Sequence, residues 1–168
     1  MEKMEKNESH AISLLVSNKP GVLIRVALVF GRRGYNIDSL VVSPTHDPRF
    51  SRMTIVASGD LPTLWQIIKQ LNKLVDVIHA HDHTGEIVVE RELALIKVKC
   101  PADQRTEILQ ITEHFKGDTV DLTEDTIMIQ VTGSSEMLDS MMVMLEKFSI
   151  IETVRSGKLI MARGHEST

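Results

Sequence analysis

The sequence predicts an α+β protein made of two βαββαβ, ferredoxin-like halves. Three observations carry that expectation. Apolar residues alternate in some short runs and recur at helical spacing in others, in the order strand, helix, strand, strand, helix, strand. The same order is read again after Gly85, although no convincing residue identity links the two passes. The length of 168 residues gives room for two small domains, and 42% hydrophobic with 25% charged residues is the balance of a globular chain.

The first pass begins at residues 10–17, where Ile12, Leu14 and Val16 share one strand face. Asn18-Lys19-Pro20-Gly21 is a turn, and Pro20 is expected to open the helix that follows, where its missing N–H costs nothing. That helix ends before Gly34, a residue suited to a left-handed cap. Residues 36–43 and 51–58 read as strands joined by the turn-rich Pro44–Phe50. Asp60 is placed to cap a second helix with Pro62 in its first turn and Leu61, Leu64, Ile68, Leu71 and Val75 at helical spacing. Residues 75–83 return as a strand.

The second pass has a strand at 92–100, a helix at 102–115 closed by Gly117, and strands at 118–123 and 126–132. Ser134 caps a helix bearing Leu138, Met141, Leu145 and Phe148, and residues 150–155 and 158–162 finish as strands around Ser156-Gly157. The boundary between halves falls near Thr84–Val89, giving domains 9–84 and 85–168.

Composition narrows the function classes. A formal net charge of −4 and 4% aromatic residues argue against a nucleic-acid surface, which needs cations for phosphates and rings for bases. No apolar run approaches the roughly 20 residues of a membrane span, and the polar start has no secretory pattern, so the cytoplasm is the expected compartment. The lone Cys100 excludes an intrachain disulfide and a cysteine-based zinc site, and beside Pro101 at the end of an apolar strand it reads as a buried thiol. Phosphate-binding loops and nucleophile motifs are missing, so no catalytic residue is assigned.

Three features hold chemistry. Val22 to Phe30 places apolar residues nearly all round the first helix, whereas one stripe suffices for a surface helix; a second copy of the chain, or the other half of the same one, would cover the second stripe. The turn into that helix offers the N–H groups of Gly21, Val22 and Leu23 and the positive dipole end to a carboxylate, with the Asn18 amide as a further polar arm. The same residues also serve as an ordinary helix start, and Asn36 as an ordinary turn residue. Finally, His79, His81 and His83 share a strand face. Same-face neighbours about 6.5–7 Å apart suit two metal ligands better than three, and a solvated polar face accounts for them equally well.

The segments NKPGVL (18–23), RRGYNIDSLVV (32–42), SRMTI (51–55), KQLNKLVDV (69–77), VERELALIK (89–97) and RSG (155–157) resemble the regulatory, or small, subunits of acetolactate synthase over roughly residues 9–164. The resemblance implies an N-terminal ACT domain, a C-terminal ferredoxin-like domain and a homodimer through side-by-side ACT domains. It implies a non-catalytic subunit that activates the catalytic subunit and makes it sensitive to valine, in branched-chain amino-acid biosynthesis. The thiamine diphosphate, FAD and magnesium belong to that catalytic partner, with no cofactor in this chain. It places valine between Asn18, Gly21, Val22 and Leu23 of one chain and Asn36 and Ile37 of the other. Pro20 and Ile24 depart from some members, the first stiffening the loop and the second reshaping the pocket floor. The histidine run has no role in the family pattern, so no metal is assigned to it. A stand-alone amino-acid or metal sensor acting on another partner is the alternative.

Overall fold

Ile12, Leu14 and Val16 are buried on one face of β1 (Glu8–Ser17), as strand alternation requires. The computed structural model describes residues 8–165 and residue 168. The polar N-terminal start read from sequence lies mostly outside these residues. Two compact units emerge, one of residues up to Val89 together with Lys158–Thr168, the other of Glu90–Gly157.

In the first unit, β1 is followed by α1 (Val22–Gly31), β2 (Asn36–Pro44), β3 (Phe50–Gly59), α2 (Leu61–Leu71) and β4 (Val77–Asp82). The antiparallel sheet has the order β2-β3-β1-β4, with α1 over β2 and α2 over β4. Its core joins Ile12, Leu14, Met53 and Ile55 of the sheet to Val26, Phe30, Leu64 and Ile67 of the helices. Each such side chain contributes about 1.5–3 kcal/mol when fully withdrawn from water. Asp60 caps α2 as its sequence position predicts, its carboxylate accepting from Thr63 N–H at 2.8 Å. Tyr35 is buried and donates its hydroxyl to the Asp60 carbonyl at 3.0 Å; burial pushes the phenol up to about 12. Its ring lies where a β-carbon on Gly59 would stand, 2.2 Å away, which is why glycine closes β3.

Two expectations change. The first helix opens at Val22, because Pro20 and Gly21 form the middle of a tight turn. Gly21 has φ 82 and ψ −9, and Val22 N–H reaches back to the Lys19 carbonyl at 3.4 Å. That is a type II turn, with proline at its second position and glycine at its third. The second helix ends at Leu71, and Val75 is 96% exposed, so it belongs to no buried helix face.

In the second unit β5 (Val88–Lys99), α3 (Arg105–His114), β6 (Asp118–Leu122), β7 (Thr126–Gly133), α4 (Ser135–Leu145) and β8 (Ile150–Arg155) repeat the pattern with sheet order β6-β7-β5-β8. A 3-10 turn, Glu146–Phe148, links α4 to β8; β9 (Leu159–Ala162) follows, in the stretch that belongs to the first unit. Ile96, Ile129, Leu138, Met141 and Cys100 lie in its core, so the thiol is buried as expected. Glu92 is buried but not unpaired: Arg155 reaches its carboxylate at 2.5 Å and Asp139 at 2.5 Å, and Ser135 donates to Glu92 at 3.1 Å. No helix among the described residues is long and apolar enough to cross a membrane.

Candidate functional site

The turn from β1 into α1 is held from outside. Asn18 N–H donates to the Arg49 carbonyl at 2.8 Å and its side-chain amide to the Pro48 carbonyl at 3.0 Å. Both acceptors lie in the β2–β3 turn, which is clamped in turn by Asp47. The Asp47 carboxylate takes Arg49 Nε at 3.0 Å, Arg49 Nη2 at 2.6 Å and the Arg49 backbone N–H at 3.1 Å. These bonds, the guanidinium's first, hold the Asp47 carboxyl down at about 2.

With one N–H of Asn18 engaged, its second N–H and Oδ1 remain to meet a ligand. Among the described residues, Gly21, Leu23 and Ile24 carry no backbone bond on their N–H groups, while Val22 is used by the turn. Of the three donors expected, Gly21 and Leu23 N–H are open and Val22 N–H is engaged by the type II turn, while Ile24 N–H is open beside them. Arg25, unmarked in the sequence reading, lies against the same loop. Its Nη1 is 3.1 Å from where a Gly21 β-carbon would be, and its Nη2 pairs with Asp76 at 2.5 Å. Its signal was the position four residues after Gly21, one helical turn into α1. The helix N-terminus is the part of this turn that favours a carboxylate, since Asp76 already pairs the guanidinium.

Asn36 and Ile37 stand elsewhere. They begin β2, past the far end of α1, and a ten-residue helix is about 15 Å long. Asn36 is exposed and donates to Asp38 at 2.6 Å; Ile37 packs against the core of its own unit. One chain thus carries the two halves of the predicted site at opposite ends of one helix. Between them run the exposed α1 side chains Leu23, Ile24 and Leu28 and the outer edge of β2, which among the described residues pairs only with β3.

Of the histidines, His81 and His83 converge on Glu86, with the imidazole nitrogens 2.7 and 2.8 Å from its two carboxylate oxygens. These bonds keep the Glu86 carboxyl below its ordinary range. His79 stacks on His81 instead of joining them, with ring centroids 5.9 Å apart.

The βαββαβ order with β2 at one sheet edge among the described residues is the ferredoxin-like architecture on which ACT domains are built, and a second such unit follows it. Residues 12–79 match the family described as the acetohydroxyacid synthase small-subunit-like ACT domain, and residues 91–164 the family described as the small subunit of acetolactate synthase. A probable acetolactate synthase small subunit of Methanothermobacter thermautotrophicus is 46% identical over 158 residues, 94% of each chain. The acetolactate synthase small subunit of Mycobacterium bovis is 42% identical over 157 residues, again 94% of each. The crystal structure of the acetolactate synthase small subunit from Thermotoga maritima superposes with a TM-score of 0.84 at 37% identity, covering 95% of this chain and 99% of that one. The chain belongs to the acetolactate synthase small-subunit family, regulatory rather than catalytic subunits of that enzyme.

Proposed function

We propose that this chain activates the acetolactate synthase catalytic subunit in the cytoplasm and makes it responsive to valine through a site built by two copies. The copies pair along α1 and the β2 edge. The Asn18–Leu23 turn of one then faces Asn36 and Ile37 of the other. The N–H groups at the head of α1 take the valine carboxylate, the asparagine amide oxygens its ammonium, and Leu23 and Ile37 its side chain, since the Val22 side chain expected there is buried in its own core. The carrying observation is that the two polar halves lie at opposite ends of α1, flanking an apolar stripe and an unpaired strand edge. Those features are what a side-by-side pairing would cover. The reacting groups, thiamine diphosphate, FAD and magnesium, stay on the catalytic partner.

Because both copies contact the ligand, valine favours one arrangement of the pair by its difference in affinity, and a coupling of about 1–3 kcal/mol to the catalytic subunit is the usual scale. Reconstitution tests this. Adding the chain to the catalytic subunit is expected to raise acetolactate formation, and valine to lower it only when the chain is present. An unchanged rate on mixing, or inhibition by valine without the chain, overturns the reading.

A further inference from the structure

β4 runs along the outer edge of the first sheet, opposite β2. Its last residues and the turn beyond it carry a cluster that the effector site does not use. The chain reverses at Thr84-Gly85, where Gly85 has φ 79, and brings Glu86 back over His81 and His83. The reversal is pinned. Asp82 accepts from Thr84 N–H at 2.9 Å and from the Thr84 hydroxyl at 2.6 Å, Glu86 N–H donates to the His83 carbonyl at 3.0 Å, and His83 N–H to the Ala11 carbonyl at 2.8 Å. One ligand atom each from His81, His83 and Glu86 then lies within 4.8 Å of the others. His83 is buried, and its second ring nitrogen sits 2.7 Å from the buried Ser13 hydroxyl.

We propose that His81, His83 and Glu86 bind one zinc ion. Two imidazole nitrogens and one carboxylate oxygen are a zinc donor set, with bonds of about 2.0–2.2 Å and a fourth position left to water. An ion with such bonds holds its ligand atoms a little over 3 Å apart. The hydrogen-bonded pairs here are slightly closer and the widest separation, up to 4.8 Å, is larger, so the ion enters as the partly exposed His81 and Glu86 side chains rotate toward the fixed His83 ring, replacing the two imidazole–carboxylate hydrogen bonds. The Ser13 contact is what a ligating histidine needs at its other nitrogen. It leaves His83 Nδ1 for the metal and fixes the ring. His81 and Glu86 are partly exposed, so the ion reaches the site from solvent. His79 stacks on His81 outside the trio. Bound zinc would fasten the turn after β4 and stabilise the folded first unit, since the unfolded chain has no such site.

The test is titration of the chelator-treated full chain with zinc sulfate, followed by calorimetry and by the visible absorption of cobalt(II) as a substitute ion. One ion per chain and a raised melting temperature are expected. His81→Ala and Glu86→Gln, both at accessible side chains, should each weaken binding more than about tenfold while keeping the far-ultraviolet spectrum, and Ser13→Ala about tenfold. His79→Ala and His114→Ala should leave the affinity unchanged. Failure of the parent chain to bind zinc overturns the proposal. So does parental affinity in both His81→Ala and Glu86→Gln, or an equal loss in His114→Ala.

Discussion

Asn18 shows how a single amide is prepared by its surroundings. Its backbone and side chain are both anchored to the Pro48-Arg49 turn, so its remaining acceptor is fixed before any ligand arrives. Replacing Asn18 or Asn36 by alanine is expected to weaken valine binding by about 1–3 kcal/mol, the scale of a hydrogen bond to a charged group. Calorimetric titration measures it, and normal binding by the double variant would place the effector elsewhere. Asp47 supports Asn18 at one remove. Its folded value is depressed to about 2 from an ordinary 3.8, so the clamp is present above pH 3.8 and lost as pH falls through about 2. Carbon-detected NMR titration of the Asp47 carboxyl should show that low midpoint. Arg49→Ala should return it toward the ordinary value, since the guanidinium is the main cause.

At the scale of elements, α1 and β2 present one continuous outward face. Leu23, Ile24 and Leu28 stand out from the helix at 42%, 65% and 48% exposure, and Leu40 and Val42 from the strand beside it. Ile24→Glu and Leu28→Glu put a charge there without opening the core. Each is expected to convert a dimer to a monomer in sedimentation, with folding stability changed by no more than about 0.5 kcal/mol. A variant that stays dimeric would put the pairing face on another element. The doubled apolar pattern of this helix was readable because 3.6-residue spacing cannot bring eight consecutive-ranging apolar positions onto one stripe. The alternation of β1 and the caps at Asp60 and Ser134 were readable for the same kind of local reason. What apolar spacing and capping rules could not give is the path of the turns. The Lys19 carbonyl takes the Val22 donor only once the type II turn closes, and Glu86 meets His81 and His83 only after the chain reverses at Gly85. Register irregularities were equally silent. Asp38 and Val120 are skipped at matching places in the β2–β3 and β6–β7 ladders, as are Ile78 and Ile151 in β1–β4 and β5–β8. The repeat absent from residue identity is therefore present in the placement of bulges.

At the scale of the molecule, two cores share no residue, one centred on Ile12, Phe30 and Leu64 and the other on Ile96, Ile129 and Leu138. The second unit also interrupts the first in sequence, since Lys158–Thr168 return to it and the Arg52 guanidinium bonds the Thr168 carbonyl. Unfolding Glu90–Gly157 would turn that stretch into a long loop closing the first unit. The cost of such a loop grows only logarithmically with its length, so the first unit should survive. Leu64→Ala and Leu138→Ala each empty a fully buried position and should cost about 2–5 kcal/mol in their own unit. Across to the other unit the loss should stay below about 0.5 kcal/mol, because the sites have no common partner. Hydrogen exchange read by peptide resolves the two. Leu138→Ala should speed exchange in β5–β8 while β1–β4 keep their protection, and added valine should slow exchange only in β1–β4. Equal loss of protection in both units from either variant would mean that they fold as one cooperative body, and that valine's stabilisation spreads through both cores instead of staying with the unit that holds it.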